Sequence, residues 1–128
     1  MFDSTLTVAF AFVACLQVKH FIGDGPLQTL RMVKAKGFYG RSQGVLHAVV
    51  HGVGTLLVVA AFGAPLLMVA QLAILDTALH YHIDYGKERL VREQGWMAND
   101  RYFWWALTAD QTLHHFSYLL IAIWMFKV

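Results

Sequence analysis

The sequence predicts an all-α, polytopic membrane protein: four transmembrane helices in an antiparallel bundle, with a short amphipathic surface helix in the first loop. Its 128 residues are 58% hydrophobic and only 14% charged, and the mean hydropathy is +0.50, far from the balance of a soluble globular domain. Four apolar segments are long enough to cross a ~30 Å hydrocarbon core as helices. We therefore predict a single integral membrane domain, residues 1–128, with crossings at about 4–22, 45–62, 66–84 and 106–126.

The first crossing ends where the chain turns polar, at Gly23. Gly25-Pro26 favours a break there, because proline pushes the preceding residue out of the α region and glycine adds freedom. A short helix should follow, with Asp24 or Gly25 near its N-cap and Gly37 at its end. Its leucines and its basic residues fall on opposite sides, so we expect this helix to rest on the membrane surface.

The second and third crossings are joined by a short connection, Gly63-Ala64-Pro65. Proline suits the first position of a helix, and so short a connection makes the two helices antiparallel. Gly52 and Gly54 in the second crossing would let helices approach closely in lipid. The fourth crossing follows an aromatic cluster at 102–105, which is typical of a membrane interface.

The basic residues predict the orientation. They concentrate in the connections 23–44 and 85–107 and are absent from 63–65, so the positive-inside rule makes the long loops cytoplasmic and both termini exoplasmic. A formal net charge of +2 with dispersed basic residues gives no reason to expect nucleic acid as a partner. Membrane lipid is the expected partner, and a homo-oligomer or a membrane-complex subunit stays open. The single cysteine, Cys15, excludes an internal disulfide.

Each crossing carries two ionisable residues four positions apart, near the end that faces the long loops. A spacing of four places both side chains on one face of a helix. The pairs are His20 with Asp24, His47 with His51, His80 with Asp84, and Asp110 with His114. All four pairs fall at one depth of the membrane. Because each such group costs at least ~2.5 kcal/mol inside a membrane, we expect mutual satisfaction or a shared ligand.

Histidine nitrogens and carboxylate oxygens on facing helices are ligands of zinc, iron or manganese. We expect one or two divalent ions, with ligands drawn from His20, Asp24, His47, His51, His80, Asp84, Asp110 and His114. Asp76, one turn deeper than His80, would accept the other N–H of that histidine, and Gln28 and Gln111 would support ligands in the same way. A metal that activates water at the cytoplasmic leaflet would make a hydrolase of lipid or amphiphilic substrates, with Asp110 or Asp84 as general base.

A non-catalytic membrane module is the alternative: an ion or proton pathway, or an assembly subunit whose polar cluster is structural. A bis-histidine haem is a weaker idea, because it leaves the carboxylates idle. An enzyme predicts open coordination positions and a groove from the site to the cytoplasmic lipid boundary. A module predicts a closed polar network, or a path continuing past Asp76 towards Gln17.

Four ordered motifs carry a family resemblance: HFIGDGPLQ at 20–28, LHAVVH at 46–51, HYHIDYGK at 80–87 and DQTLHH at 110–115. They resemble those of a small bacterial and phage membrane family known as domain of unknown function 3307. The resemblance covers nearly the whole chain and implies a multi-pass protein of the bacterial inner membrane, without an established reaction. Gly25-Pro26 departs from the bulky apolar residue usual in that family after the first Asp. A looser similarity, in the His and Asp pattern alone, is to inner-membrane metal-dependent hydrolases, and it favours a metal.

Overall fold

The computed structural model describes residues 4–127, and in this part of the chain it contains five α-helices and no strand. The helices are α1 (Ser4–Asp24), α2 (Leu30–Lys36), α3 (Ser42–Ala61), α4 (Leu66–Gln94) and α5 (Arg101–Phe126). The four long helices pack in a ring in the order α1, α3, α4, α5, and α5 returns to contact α1. The short helix α2 lies against α3 and α4. The predicted all-α class is confirmed.

Within residues 4–127, three helices are long and apolar enough to cross a membrane by length and composition, whereas the sequence predicted four crossings. They are α1, α3 and α4. The remaining long helix, α5, has 26 residues and therefore sufficient length. Its composition is more polar because Asp110, Gln111, His114 and His115 fall near its middle. The residues that lower its hydropathy are thus mostly those assigned to the predicted site.

Helices α3 and α4 pack closely at Gly52. A Cβ atom at this position would collide with Thr77 Oγ1 and would lie 3.0 Å from the backbone oxygen of Ala73. The Thr77 hydroxyl is itself fixed, because it donates to Ala73 O at 2.8 Å. Glycine therefore allows the two backbones to approach at the level of the polar pairs, as small residues do between membrane helices.

An apolar core fills the half of the bundle that lies away from the long connections. It consists of Phe12, Leu16, Val59, Val69, Leu72, Tyr118, Ile121 and Ala122. The ring of Phe12 meets two others edge-on, with centroids 5.2 Å from Phe62 and 5.4 Å from Phe126. Such edge contacts add to the stability that apolar burial provides. Tyr118 ends this core, because its hydroxyl reaches His20 in the polar half.

Helix α2 begins later than predicted and is anchored to the bundle. Thr29 is its N-cap, accepting the Met32 N–H at 3.2 Å, whereas Asp24 closes α1 and Gly25 lies in the turn that follows. The shift arises because Gly25 N–H still bonds to Phe21 O at 2.9 Å, which continues the helical turn of α1. Gly37 ends α2, as predicted.

The end of α4 holds α2 in place. This helix continues to Gln94, beyond the predicted crossing, and Gly95 closes it with a φ of 67°, a conformation that suits glycine. In its last turns Arg92 donates to Gly37 O at 2.9 Å, and its guanidinium lies 4.1 Å from the centre of the Phe38 ring. The first connection is thereby fixed over one end of the bundle.

Candidate metal centre

The eight predicted ligands meet between the four long helices at the end covered by α2. They come in pairs: His20 and Asp24 from α1, His47 and His51 from α3, His80 and Asp84 from α4, and Asp110 and His114 from α5. All are buried except Asp24, whose side chain is 21% exposed. The one-turn spacing of each pair is what turns both members towards the centre of the ring. We call these eight residues the His/Asp cluster.

One candidate ion position lies around Asp24. Its Oδ1 atom is 3.1 Å from Nε2 of both His47 and His51, and 3.8 Å from Nε2 of His80. One ligand atom from each of these four residues lies within 4.8 Å of the others. Neighbouring ligands of a tetrahedral ion with bonds of ~2.0–2.1 Å stand ~3.3 Å apart, so these separations suit one ion.

A second candidate position lies around Asp84, Asp110 and His114. His114 Nε2 is 3.4 Å from Asp84 Oδ1 and 3.5 Å from Asp110 Oδ1. The other oxygen of Asp84, Oδ2, is 3.3 Å from Nε2 of both His47 and His80. Asp84 thus presents one oxygen towards each candidate position.

His20 stands apart from the other imidazoles because both of its nitrogens have partners. Nδ1 accepts from the Tyr118 hydroxyl at 2.7 Å, and the Nε2–H donates to Gln111 Oε1 at 3.0 Å. Gln111 in turn donates to Asp110 Oδ2 at 3.1 Å. One ligand atom of His20 also lies within 4.8 Å of one from each of His80 and His114, so these three histidines form a further group that could hold an ion once the His20 nitrogen releases its present partner. Gln111 takes the supporting position that its sequence spacing predicted.

The other four imidazoles are packed against one another. The ring of His80 stacks on those of His51 and His114, with centroids 3.5 and 4.1 Å apart. Within residues 4–127, the buried Nδ1 atoms of His47, His51, His80 and His114 have no hydrogen-bond partner. Their Nε2 atoms point instead at the carboxylates and at each other. The ring nitrogens of these four histidines that are placed to bind an ion are therefore the Nε2 atoms.

Asp76 pairs with Lys19, whereas the sequence predicted that it would accept from His80; among the described residues, Nδ1 of His80 and Oδ1 of Asp76 both lack a hydrogen-bond partner. The Oδ2 atom of Asp76 is 2.5 Å from Lys19 Nζ and also accepts from Thr55 Oγ1 at 2.7 Å. Lys19 Nζ donates to His51 O at 3.3 Å as well and lies 4.6 Å from the centre of the Tyr118 ring. An ammonium opposite Asp76 binds that carboxylate more strongly than a neutral imidazole does. This polar layer lies directly beneath the His/Asp cluster.

Three residues of this layer, Lys19, Thr55 and Tyr118, are not among the predicted site residues, although each carries a signal in the sequence. Thr55 is one turn beyond His51, and Tyr118 is one turn beyond His114, so the spacing of four extends to both. Lys19 precedes His20 directly and is an ionisable residue in an apolar helix, which is itself a functional indication. Which residue Lys19 pairs with depends on the rotation of α1 relative to α4, and helical periodicity does not predict that rotation.

Lys36, the last residue of α2, is a further buried basic residue, and its side chain contacts the cluster. Its Nζ atom is 2.9 Å from Asp84 Oδ2 and donates to Gln28 Oε1 at 2.6 Å. Gln28 donates to Asp24 O at 2.9 Å. Gln28 therefore supports the cluster through Lys36 and through the backbone of α1. No spacing in the sequence predicts this contact, because it depends on how the first connection folds back.

The cluster is accessible from one side. A cleft of about 340 Å³ lies between the ends of α1 and α5, and its lining includes Gln17, His20, Asp24, Gln111 and His115. The side chain of Asp24 is the part of the cluster that is most exposed there. Water can therefore reach Asp24, a member of the first candidate ion position, from this cleft.

Residues 12–128 match the sequence model of a family described as Protein of unknown function (DUF3307). No curated protein and no solved structure matches the chain. The family resemblance stated from the four motifs is confirmed by this match, which spans all of them.

Proposed function

The chain belongs to the DUF3307 family, and from the geometry of its site we propose that it is a metal-dependent membrane hydrolase whose two-ion centre is the His/Asp cluster. One observation carries the proposal. Buried imidazole Nε2 atoms from three helices converge on Asp24 and Asp84 at separations of 3.1 to 3.8 Å. Ligand atoms around a shared cation have such separations.

A purely hydrogen-bonded cluster does not satisfy these atoms. Nε2 of His47 and Nε2 of His80 are 3.1 Å apart, and each is 3.3 Å from Asp84 Oδ2. An ionised carboxylate oxygen only accepts, and each Nε2 either donates or accepts. With Asp84 ionised, at least one side of this triangle therefore brings two donors or two acceptors together, even though Lys36 Nζ lies 2.9 Å from the same oxygen. A cation among the three atoms removes the conflict, because all three then offer it a lone pair.

The donor set favours zinc, iron or manganese. Imidazole and carboxylate ligands suit all three of these ions. Thiolate ligands would instead favour zinc, copper or iron–sulfur clusters. The single cysteine of the sequence, Cys15, is exposed and belongs to no candidate ion position. Two of the groups that could hold an ion, Asp24–His47–His51–His80 and Asp84–Asp110–His114, share no residue, which supports two ions rather than one.

Two features support a hydrolytic role: the cleft that leads to Asp24, and a buried carboxylate oxygen of Asp110 that has no hydrogen-bond partner among the described residues. Bound divalent ions would supply Lewis acidity and an activated water molecule. Asp110 keeps its Oδ1 atom buried without a hydrogen-bond partner among the described residues, so this oxygen would accept the proton of that water instead of binding an ion. In the reaction the water oxygen bonds to the ester centre, the ester bond breaks, and the leaving alcohol receives a proton.

The contacts support the enzyme over an ion or proton pathway. Within the described part of the chain, the polar layer of Lys19, Thr55 and Asp76 is followed by the apolar core around Phe12 and Leu72. Gln17, the expected next station of a path, lines the outer cleft instead. A conducting path needs polar groups or water across this core.

The proposal includes a membrane setting with four crossings and cytoplasmic long loops. Helix α5 supports this setting because Asp110, Gln111 and His114 face the cluster while most of the large side chains on its outer surface are apolar. The exposed side chains on that surface include Leu113, Phe116, Leu119, Leu120 and Ile123. A helix of this kind can face lipid even though its average composition is polar. Membrane lipid is accordingly the proposed neighbour, in the bacterial inner membrane.

Elemental analysis tests the metal centre. Detergent-purified protein prepared without chelator should contain about two divalent ions per chain. The double variant His51→Ala/Asp84→Asn should lose them, because it removes one ligand of the Asp24 group and one ligand of the Asp84 group. His115→Ala is the matched control and should retain both ions, since His115 belongs to neither candidate position.

The reaction is tested on the same preparations with the soluble ester p-nitrophenyl phosphate. Asp110→Asn should reduce turnover by ~10²-fold or more, the usual contribution of a general base. Metal-free wild-type protein, or equal metal in the double variant, would refute the metal centre. Undiminished turnover in Asp110→Asn would remove the general-base assignment.

A further inference from the structure

An apolar groove runs along the outside of the bundle between α1 and α3. It has a volume of about 840 Å³, and it extends from Leu27 and Leu46 at one end to Ala14 and Val58 at the other. From Leu46 to Val58 the helix rises ~18 Å. The groove therefore starts at the level of the His/Asp cluster and runs towards the apolar half of the bundle, along a face that meets lipid if α1 and α3 cross a membrane.

The groove meets the cluster at Gly23. This residue lines the groove, and a Cβ atom here would collide with the His51 imidazole at Nε2. That Nε2 atom is 3.1 Å from Asp24 Oδ1, within the first candidate ion position. The His51 ring therefore packs directly against the backbone of a residue that lines the upper end of the groove. A chain lying in the groove would have its upper end beside the ions.

The charge of the centre indicates which headgroup would lie there. Asp24, Asp84 and Asp110 carry three negative charges, whereas two divalent ions together with Lys36 would carry five positive charges. With neutral histidines the loaded site has an excess of positive charge, and a buried excess requires an anion. Phosphate oxygens suit this site, because they bind paired divalent ions and lysine ammonium groups.

We infer that the α1–α3 groove holds the hydrocarbon chain of a phosphate-bearing amphiphile whose headgroup lies at the His/Asp cluster. The inference rests on the proposed function and narrows its substrate to a lipid phosphate ester. Apolar walls along the groove, and a centre at its upper end that would be cationic with two divalent ions bound, match the two parts of such a molecule. An apolar helix of a second copy would cover the walls without bringing an anion to Gly23.

Binding of radiolabelled dodecyl phosphate to manganese-loaded protein in phosphatidylcholine nanodiscs tests the inference, with empty nanodiscs as the background. Binding should be saturable. Unlabelled dodecyl phosphate should compete at least ~10-fold better than methyl phosphate, which lacks the chain, and than dodecanol, which lacks the anion. Equal competition by methyl phosphate would show a free-phosphate site and overturn the chain assignment. Equal competition by dodecanol would overturn the headgroup assignment.

A matched pair of variants locates the chain. Val53→Trp fills the groove from its lining, and Ile123→Trp adds the same bulk to the outer surface of α5; each native side chain is 50% exposed. Val53→Trp should weaken dodecyl phosphate binding at least ~10-fold at unchanged metal content, whereas Ile123→Trp should change neither. Unchanged affinity in Val53→Trp would overturn the groove. If the protein contains no metal and binds dodecyl phosphate and dodecanol alike, both the proposed function and the headgroup assignment are overturned. If the protein contains metal but shows no saturable binding, only this inference is overturned.

Discussion

At the scale of single residues, Asp24 and Asp84 organise the centre because each directs its two oxygens to different histidines. Asp24 Oδ1 faces His47 and His51, and its Oδ2 lies 3.2 Å from His20 Nε2. Asp84 connects His114 on α5 with the histidines of α3 and α4. Asp24 therefore joins α1 to α3, and Asp84 joins α4 to α3 and α5. Replacing either one should disturb more than one ligand.

Gly23→Ala tests how tightly this geometry is set. The added methyl group would collide with the His51 ring, which is stacked on His80 and has no free space to retreat. We expect metal affinity to fall at least ~10-fold, which corresponds to ~1.4 kcal/mol. Elemental analysis after dialysis against graded free metal measures the change.

Gly86→Ala is the control for that variant. A Cβ at Gly86 meets nothing within 4 Å, and this glycine lies inside α4. The substitution should leave metal binding unchanged and stabilise the helix by ~0.5–1 kcal/mol. Full metal affinity in Gly23→Ala would show that His51 is not held against α1 as described.

At the scale of helices, the Lys19–Asp76 pair joins α1 to α4, and Thr55 adds α3 to the same contact. Both charged side chains are almost fully buried, with 8% and 1% exposure. Removing one partner of a buried pair strands the other charge, whereas replacing both by apolar groups does not. The layer thus fixes the rotation of three helices beneath the cluster.

Lys19→Met should destabilise the protein by ~3–5 kcal/mol, because it leaves the Asp76 carboxylate buried without its cation. The double variant Lys19→Met/Asp76→Leu should recover most of this loss. Lys34→Met, at an exposed position of α2, is the surface control and should change stability by less than ~0.5 kcal/mol. Denaturant unfolding in detergent measures all three. A double variant no more stable than the single one would contradict the pairing.

Helical periodicity explains how much of the site the sequence could predict. The pair His80 and Asp84 shares a face of α4 whatever surrounds the helix, so spacing alone brings it to the centre. The contacts of Lys19 and Lys36 depend on helix rotation and on the docking of α2, which Arg92 and Thr29 determine together. These are long-range packing effects without a periodic signature. The alternation of apolar segments and glycine or proline breaks was likewise sufficient for the all-α class.

At the scale of the whole molecule, the bundle is layered along its axis. The apolar core around Phe12 lies at one end, the Lys19–Asp76 layer follows, and the His/Asp cluster is covered by α2. The covered end also carries most of the basic residues, which lie in α2, the end of α4 and the start of α5. The polar site and the basic loops therefore lie at the same end of the bundle. In the proposed membrane setting, the side that holds these loops would also supply water to the cleft.

The positive-inside rule assigns this end to the cytoplasm, and cysteine accessibility tests the assignment. In a Cys15→Ser background no native thiol remains, since Cys15 is the single cysteine. Leu66→Cys, 84% exposed after the α3–α4 turn, should react with a membrane-impermeant maleimide added to intact bacterial spheroplasts. Met97→Cys, 68% exposed between α4 and α5, should react only after permeabilisation. The reverse pattern would place the cluster on the exoplasmic side, and reaction of both thiols in intact cells would contradict a spanning bundle.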